Sequence, residues 1–551
     1  MSNLFGIGLS GLGAAQAGLN ATSNNISNVN TPGYTRRKTQ LAEVAGSNHG
    51  GGVTVTGVQR QYAQFLTTQL NSAQSTASAT SSHLDQISQI DNLLSDSTAG
   101  LAPRIQGFFD SLSTLAGSPQ DSSARNAVLG SAKDMASQFR SFASTLSNMG
   151  DAVKKQVSSA VKEVNNNASQ IAALNKQITV TQARTGQPPN KLLDQRDELV
   201  AKTSKLINVA VTKNDNGSYN LTVGGQSLVD ATGSHKLTTV ASAADPTQQR
   251  LGSVSADGST REIPNQRVPG GEIGGLLSFA SDSLAPAQDK LNQTAHDLAA
   301  AVNAQHKKGT DLNGNAGKAL FTTSPSQPKV YADANNTGNA TVSSATFAAD
   351  QTDAVTADNY HVAYVGGAYQ VTRASDGSAL SASFNSGSNT LSFGGLDVAV
   401  SGTPNNGDAF TVRPLDNAAS ALSVAISDPA KLAAAGASGS GAGAGGPGDN
   451  TNANALAALQ QAKTVEGNRS FSDNYSQLVG DIGNKAQSLQ VNSDSESALT
   501  NELSQAQQSV SGVNLDEESV NLMYYQQMYQ ANARVIKTAS TVFNTVLGLG
   551  N

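Results

Sequence analysis

Residues 2–34, SNLFGIGLSGLGAAQAGLNATSNNISNVNTPGY, carry a repeat of seven residues that ends in a turn. The large apolar members of this repeat are Phe5, Leu12, Leu19 and Ile26. A small residue or valine follows each of them by three positions, namely Gly8, Ala15, Thr22 and Val29. This spacing predicts a helix from about Ser2 to Asn28 with one narrow apolar stripe, which a partner helix must cover. Thr31, Pro32 and Gly33 predict the turn that ends it.

Gly6 to Gly11, GIGLSG, also match the dinucleotide-binding fingerprint letter for letter. Too few residues precede the string for the first strand of a nucleotide-binding domain, and no second strand with an acidic residue follows it. We therefore interpret the glycines as positions that let two helices approach closely.

Residues 511–549, SGVNLDEESVNLMYYQQMYQANARVIKTASTVFNTVLGL, carry a second repeat of the same length. Its members are Leu515, Leu522, Tyr529, Ile536 and Phe543. Asn514 and Glu517 predict a capping box at the start of this helix. The apolar stripe is wider than the first one, so it predicts contacts with more than one neighbour. The alternative is an ordinary antiparallel helix pair inside one stable monomer.

Burial of the N-terminal stripe contributes on the order of 12 kcal/mol, at about 2 kcal/mol for each large side chain. Ordering about 28 backbone residues costs on the order of 28 to 56 kcal/mol, and helix hydrogen bonds return only part of this. The two ends are therefore predicted to become ordered by pairing with each other and with further subunits.

Composition excludes several classes of site. The chain has 551 residues, no Cys, 35 Lys plus Arg and 41 Asp plus Glu, so thiol chemistry is absent and no basic groove for nucleic acid is indicated. No stretch approaches the roughly 20 apolar residues that span a bilayer, so we expect no membrane insertion. The first residues lack the basic run of a secretory signal, so we expect no cleaved leader.

The periodicity of the middle alternates between helix and strand. It predicts a mainly α protein with inserted β structure, in which a coiled-coil-like terminal pair is joined to a long helical-bundle rod and a small β-rich domain. The longest helical signal runs from about 135 to 178, roughly 65 Å at about 1.5 Å per residue. The segment from 35 to about 60 is interpreted as irregular.

Five segments follow from these changes of period. They are a polymerisation helix and turn segment (1–61), a helical rod with inserted β-hairpins at 209–263 (62–325), a β-rich outer domain (326–415), a returning helical segment with a flexible Gly/Ala/Ser linker at 436–450 (416–510), and a C-terminal polymerisation helix (511–551).

No arrangement of residues supports catalysis. The six His residues show no metal-ligand spacing, and no Gly-x-Ser-x-Gly elbow occurs. We expect no enzyme activity, no cofactor and no metal. The rival hypothesis is a secreted enzyme or adhesin whose active residues lie in 326–415.

The turn and the tail together resemble the flagellar rod, hook and hook-associated axial proteins. The residues that carry the first motif are Asn25, Asn28, Thr31, Pro32, Gly33 and Tyr34, and residues 511–518 and 524–536 carry the second. Hook and rod proteins of this family are mostly β between their terminal helices, whereas this middle is largely helical. The combination is similar to the junction proteins between hook and filament. The alternative is another axial protein, of hook or rod type.

The resemblance implies a structural protein that is secreted without cleavage and located in the extracellular flagellum. It implies self-assembly into a ring, contacts with the hook protein and the next hook-associated protein, and an export chaperone on the C-terminal helix. The nine ladder residues named above are the expected assembly interface.

Overall fold

The computed structural model describes residues 2–44, 51–95, 100–322, 328–348, 354–437, 446–465 and 468–549. Its helices are α1 Ser2–Ser27, α2 Gln64–Leu94, α3 Leu101–Gly117, α4 Ser122–Thr185, α5 Asn190–Leu206, α6 Gly271–Phe279, α7 Ala285–His306, α8 Ala418–Ala421, α9 Thr451–Ala458, α10 Phe471–Ser511 and α11 Leu515–Leu549. A single π-helical turn, Ala280–Leu284, joins α6 to α7.

The strands of the N-terminal half are β1 Arg37–Glu43, β2 Val53–Arg60, β3 Ala210–Lys213, β4 Tyr219–Val223, β5 Gln226–Asp230, β6 Gly233–Ser234, β7 Leu237–Ala241, β8 Gln249–Val254 and β9 Thr260–Ile263. Those of the C-terminal half are β10 Phe321–Thr322, β11 Lys329–Ala332, β12 Thr341–Phe347, β13 Tyr360–Val365, β14 Ala368–Arg373, β15 Ala379–Leu380, β16 Ser383–Asn385, β17 Thr390–Phe393, β18 Leu396–Ser401, β19 Ala409–Arg413 and β20 Ser423–Val424.

The rod is built around α4, which has 64 residues and is therefore about 96 Å long at 1.5 Å per residue. The predicted helix of 135–178 was too short, because Ala124, Val128 and Ala132 continue its buried face toward the N-terminus. Asp121 accepts a hydrogen bond from the Ser123 N–H at the first turn, and Gly186 ends the helix at φ +65°.

The rod has one continuous core formed by side chains of α2 to α7, α9 and the first half of α10. Two antiparallel sheets pack against it, β3-β4-β5-β6 and β7-β8-β9. They fill 210–263, the region where the sequence indicates inserted hairpins.

The β-rich domain has a core of its own. Its five-stranded sheet has the order β11-β19-β13-β14-β15 and its four-stranded sheet the order β12-β18-β17-β16. Side chains from both sheets form one buried cluster, in which the rings of Tyr360 and Phe393 lie 5.3 Å apart. This sandwich and the helical rod confirm the predicted fold class.

The segment interpreted as irregular is a β-hairpin, and that interpretation was wrong. β1 and β2 pair antiparallel from Arg37 with Arg60 to Glu43 with Val53, with an irregularity in register after Gln40. The strands escape recognition because the alternation Val53-Thr54-Val55-Thr56 of β2 is short and its valines are not buried; the buried residue of the two strands is Thr39. The predicted linker of 436–450 lies partly outside the described residues, and at its described ends the Gly436 N–H donates to Asp449.

Candidate assembly interface

The N-terminal and C-terminal helices pack against each other along a face of small residues. Gly8 lies against Ile536, Gly11 against Asn532 and Gly18 against the ring of Tyr525. A Cβ atom at Gly8 would lie 2.8 Å from Cγ1 of Ile536, so there is no room for a larger side chain. Because rising numbers on α1 meet falling numbers on α11, the two helices are antiparallel.

The large ladder residues flank this face instead of forming it. Phe5, Leu12, Leu19 and Ile26 are partly buried, as are Leu522 and Ile536 of α11. Leu515, Tyr529 and Phe543 are 48%, 39% and 45% exposed. The structure therefore brings Ile536 onto α1 but leaves three of the five C-terminal ladder residues open to solvent.

Asn25 connects the two ends of the chain through its side-chain amide. Its Nδ2 group donates to the Arg37 carbonyl at 2.9 Å and to Oε2 of Glu518 at 3.0 Å. Its Oδ1 atom accepts from the Tyr34 hydroxyl and from the Arg37 N–H, both at 2.9 Å. All four hydrogen-bonding positions of the amide are used, and Asn25 and Glu518 are each 1% exposed. We call Asn25, Tyr34, Arg36 and Glu518 the terminal clasp.

Arg36 completes the terminal clasp from the other side of the carboxylate. Its Nε donates to Oε1 of Glu518 at 2.7 Å and its NH1 group to Glu517 at 2.6 Å. The Arg36 N–H also donates to the Ser511 carbonyl at 2.8 Å. Two charge-assisted bonds thus attach the turn segment to the start of α11, and the main-chain bond attaches it to the end of α10.

The turn between α1 and β1 is built from the remaining motif residues. The Tyr34 N–H donates to the Thr31 carbonyl at 3.1 Å, with Pro32 and Gly33 at the two central positions. Gly33 has φ +75°, a conformation that glycine adopts without strain. Asn28 accepts from the Thr31 hydroxyl at 3.2 Å. The turn places the Tyr34 hydroxyl on Asn25, where burial raises the pKa of the phenol.

The hairpin is attached to the rod at Asp194 of α5. Asp194 accepts from the Thr35 hydroxyl at 2.6 Å and pairs with Arg60 at 3.2 Å and Arg37 at 3.5 Å. Burial raises the pKa of Asp194, while Thr35 and the two guanidinium groups oppose that shift. Arg60 also pairs with Asp197 at 2.6 Å. The terminal helices are therefore held to the rod through charged contacts.

Half of the predicted capping box is present at the start of α11. Oδ1 of Asn514 accepts from the N–H groups of Asp516 and Glu517 at 2.9 and 3.3 Å. The Glu517 carboxylate binds Arg36 instead of returning to the cap. Arg36, Glu518 and Asp194 are site residues that were not predicted from the sequence. The adjacent like charges of Arg36–Arg37 and Glu517–Glu518 were the available signal.

Exposed large apolar side chains are concentrated on the terminal helices and the hairpin. On α11 they are Leu515, Val520, Met523, Tyr524, Tyr529, Val535, Val542, Phe543, Val546 and Leu547. On α1 and the hairpin they are Leu4, Leu9, Leu41 and Val55, with Val44 just beyond β1. Patches of this kind mark surfaces that are covered by a partner.

Within the described residues, no group of His, Asp and Glu side chains could hold a metal ion. No described helix is long and apolar enough to span a bilayer. Gly6 to Gly11 lie inside α1, so their N–H groups do not form a phosphate-binding loop.

Comparisons with known proteins agree with this architecture. Residues 87–321 match the flagellar hook-associated protein FlgK helical domain, and 331–414 match the D2-like domain of flagellar hook-associated protein 1. Residues 5–35 match the flagella basal body rod protein model and 504–549 the flagellar basal body rod FlgEFG protein C-terminal model.

Full-length relatives are similar to the chain from end to end. Flagellar hook-associated protein 1 of Salmonella typhimurium is 41% identical and that of Escherichia coli 39% identical, each aligned over all of both chains. The solved structure of the flagellar hook junction protein FlgK from Burkholderia pseudomallei has a TM-score of 0.73 and 30% identity. The structural alignment includes 80% of this chain and 100% of the Burkholderia pseudomallei chain.

Proposed function

The chain belongs to the family of flagellar hook-associated protein 1, and on that premise we propose that it is a structural, axial component of the bacterial flagellum that assembles as the junction between hook and filament. One observation carries the proposal: α11 is anchored to α1 on one face and exposes ten large apolar side chains on its others, from Leu515 to Leu547.

Subunit association removes this surface from water. These ten side chains are 37–61% exposed, so covering all of them contributes on the order of 10 kcal/mol, at about 1 kcal/mol each. The terminal clasp and the small face of α1 set the orientation of α11 before association, which lowers the entropy that assembly must overcome. The ladder residues from Phe5 to Ile26 and Leu515 to Phe543 are the proposed assembly interface, with three of them free in the single chain.

This interface would join copies of the chain into a ring. The hook protein would contact one side of the ring, and the next hook-associated protein would contact the other. The terminal helices form the polymerising unit, residues 62–325 and 416–510 form the rod, and the sandwich within 326–415 is the outer domain. The two buried clusters, one in the rod and one in the sandwich, support these boundaries.

Export and location are part of the same proposal. The antiparallel register pairs Gly8 with Ile536, so α1 begins near the level of residue 542 and about two turns of α11 extend past it. Residues 541–548 are all exposed. An export chaperone that holds this apolar end would keep the chain from associating before secretion to the extracellular flagellum.

We assign no catalytic residue. The rival, an enzyme or adhesin carried on this scaffold, would reside in 326–415. If the function is structural, a chain that lacks residues 326–415 should still form the junction.

Val542→Asp tests the assembly interface. Val542 is 42% exposed in the single chain, so a carboxylate there is compatible with the folded monomer but opposes burial between subunits. We expect secreted, soluble protein and cells that carry hooks without filaments. Ile536→Asp is less suitable because Ile536 packs on Gly8 within the chain.

Val180→Asp is the matched control, since Val180 on α4 is 43% exposed. It should leave filaments intact. Normal filaments on Val542→Asp cells would contradict the proposed interface, and loss of the protein from the medium would assign the defect to export.

A further inference from the structure

The hairpin presents a second apolar surface on the terminal unit, separate from that of α11. Leu41 and Val55 are cross-strand partners, 40% and 38% exposed, and Val44 beyond the end of β1 is 37% exposed. Within the described residues, β1 and β2 pair only with each other. An exposed two-stranded ribbon with apolar side chains is a surface that a neighbouring chain covers.

This surface and α11 lie at the same height along α1. The Val53 N–H donates to the hydroxyl of Ser10, and Gly52 lies against Ser10. One residue away on α1, Gly11 contacts Asn532 of α11. The free end of the hairpin is therefore level with residues 532–536, on a different flank of α1.

The charge at the free end of the hairpin is opposite to the charges on the C-terminal half of α11. Glu43, at the end of β1, is the sole acidic residue among the first 84 residues of the chain. Arg534 and Lys537 are the sole charged side chains after Glu518, and both are exposed. α1 has no charged residue. An acid two residues after Leu41 thus matches a basic pair that flanks Val535 in the sequence.

We propose that the hairpin end of one copy packs on the α11 helix of the next copy, with Glu43 facing Arg534 and Lys537. The occupant of the hairpin surface is a second copy of this chain, a choice that rests on the proposed assembly into a ring. Two different surfaces at equal height form a head-to-tail contact, which closes into a ring when the rotation between copies permits it. The charged pair sets the register, while the valine and leucine side chains supply burial.

Cysteine cross-linking tests which surfaces meet, because the chain has no Cys of its own. The variants are Glu43→Cys, Lys537→Cys and the double variant, each produced in cells that lack the wild-type chain. Isolated hook–filament complexes are treated with a short bis-maleimide and analysed on denaturing gels. The double variant should give a ladder of dimers, trimers and larger species, and each single variant should give monomer.

Charge reversal supplies an independent arm. Glu43→Lys and Lys537→Glu should each lower the amount of protein incorporated at hook tips several-fold, and the combined variant should recover most of it. Glu502→Lys on α10 and Lys162→Glu on α4 introduce the same charge changes at exposed positions elsewhere and should incorporate normally. The amount secreted into the medium is measured for every variant.

The outcomes separate this inference from the proposed function. If the wild-type chain is incorporated at hook tips but the double-Cys variant yields only monomer, the head-to-tail contact is wrong and the junction function stands. Dimers from either single variant would overturn the inference in favour of a symmetric contact. Failure of the combined reversal to recover incorporation would reject the pairing of Glu43 with the basic residues. If the wild-type chain is absent from hook tips, the proposed function itself fails.

Discussion

At the scale of single residues, a buried amide joins the two ends of the chain. Asn25 and Glu518 are separated by 493 positions, and their bond is completed by Arg36 and by the Tyr34 hydroxyl. A buried network of this kind is favourable only when every member is satisfied, because an orphaned polar atom costs about 1–3 kcal/mol.

Asn25→Asp should therefore disrupt the terminal clasp. The change keeps the shape of the side chain but replaces its amino group with a carboxylate oxygen that faces the Glu518 carboxylate. We expect the α1–α11 pair to lose about 2–4 kcal/mol, since a donor is lost and like charges are buried together. Limited proteolysis should then release both termini faster, while the rod stays intact.

Asn24→Asp is the matched control, because the Asn24 amide donates only to the Asn20 carbonyl on the exposed side of the same helix turn. Equal cleavage rates for the two variants would show that the terminal clasp does not hold the helices.

His83 gives a residue-scale prediction about pH. Its Nε2 lies 2.8 Å from Oγ of Ser283 in the π-helical turn, and burial lowers its pKa from 6.5 to about 4, with Lys485 acting in the same direction. The folded state therefore keeps the ring neutral where the unfolded state binds a proton. The neutral His83 ring therefore contributes to the free energy of unfolding above pH 6.5, and this contribution is lost as the pH falls from 6.5 towards 4.

His83→Gln should remove this dependence, on the order of 3 kcal/mol across the window. Thermal unfolding of both proteins between pH 7 and 4 measures it. Carboxylates titrate in both, so the difference between the two curves isolates His83. Parallel curves would contradict the assignment.

At the scale of secondary-structure elements, α1 pairs with α11 because its contact face carries small residues and no large side chains. Gly8, Gly11 and Gly18 make room for side chains of α11, and Ala14, Ala15 and Ala21 continue the buried face. The large ladder residues then project to the flanks. α1 therefore resembles a small-residue helix interface more than a leucine-rich coiled coil.

Two glycines of the same helix provide a paired test. Gly13 has no atom near its would-be Cβ, so Gly13→Ala should stabilise α1 by about 0.5–1 kcal/mol through helix propensity alone. Gly18→Ala gains the same propensity but places a methyl group against the Tyr525 ring, so we expect net destabilisation. Hydrogen exchange of α1 amides in the two variants gives the sign. Stabilisation by both would show that the helices can move apart at no cost.

At the scale of the whole molecule, the sandwich and the rod have separate cores that are joined by an ion pair, hydrogen bonds and a ring contact. Arg413 of β19 pairs with Asp245 at 3.3 Å and donates to the Thr247 hydroxyl at 2.6 Å, beside β8. The Ala334 N–H donates to the Ala243 carbonyl at 3.0 Å. The ring of His296 lies 5.3 Å from that of Phe347.

Deletion of residues 326–415 with a short linker should leave the rod folded, because the sandwich core shares no buried cluster with it. We expect unchanged helical content and a melting temperature lowered by a few degrees, since Asp245 and Asp416 lose the Arg413 partner. Circular dichroism and calorimetry check both. An aggregated deletion variant would show that the rod depends on the sandwich.

The helices, the inserted β structure, the separate sandwich and the motif at the α1 turn could all be predicted from the sequence. These features are local. Residues that are close in sequence specify a hydrophobic period of 3.6 or 2 residues, a proline–glycine turn or a helix cap. Helix ends were less certain, as the early start of α4 at Ser122 shows.

Three features became visible only in the folded chain: the buried face of α1, the hairpin of residues 37–60, and the hydrogen bond between Asn25 and Glu518. The physical reason is that each depends on a partner distant in sequence. Small residues become a contact face only when Tyr525 and Ile536 fill the space beside them. The exposed hairpin is attached to the rod because Asp194 pairs with Arg37 and Arg60 of its two strands. Local patterns specify the elements, whereas the choice among their possible neighbours is made by shape and charge at long range.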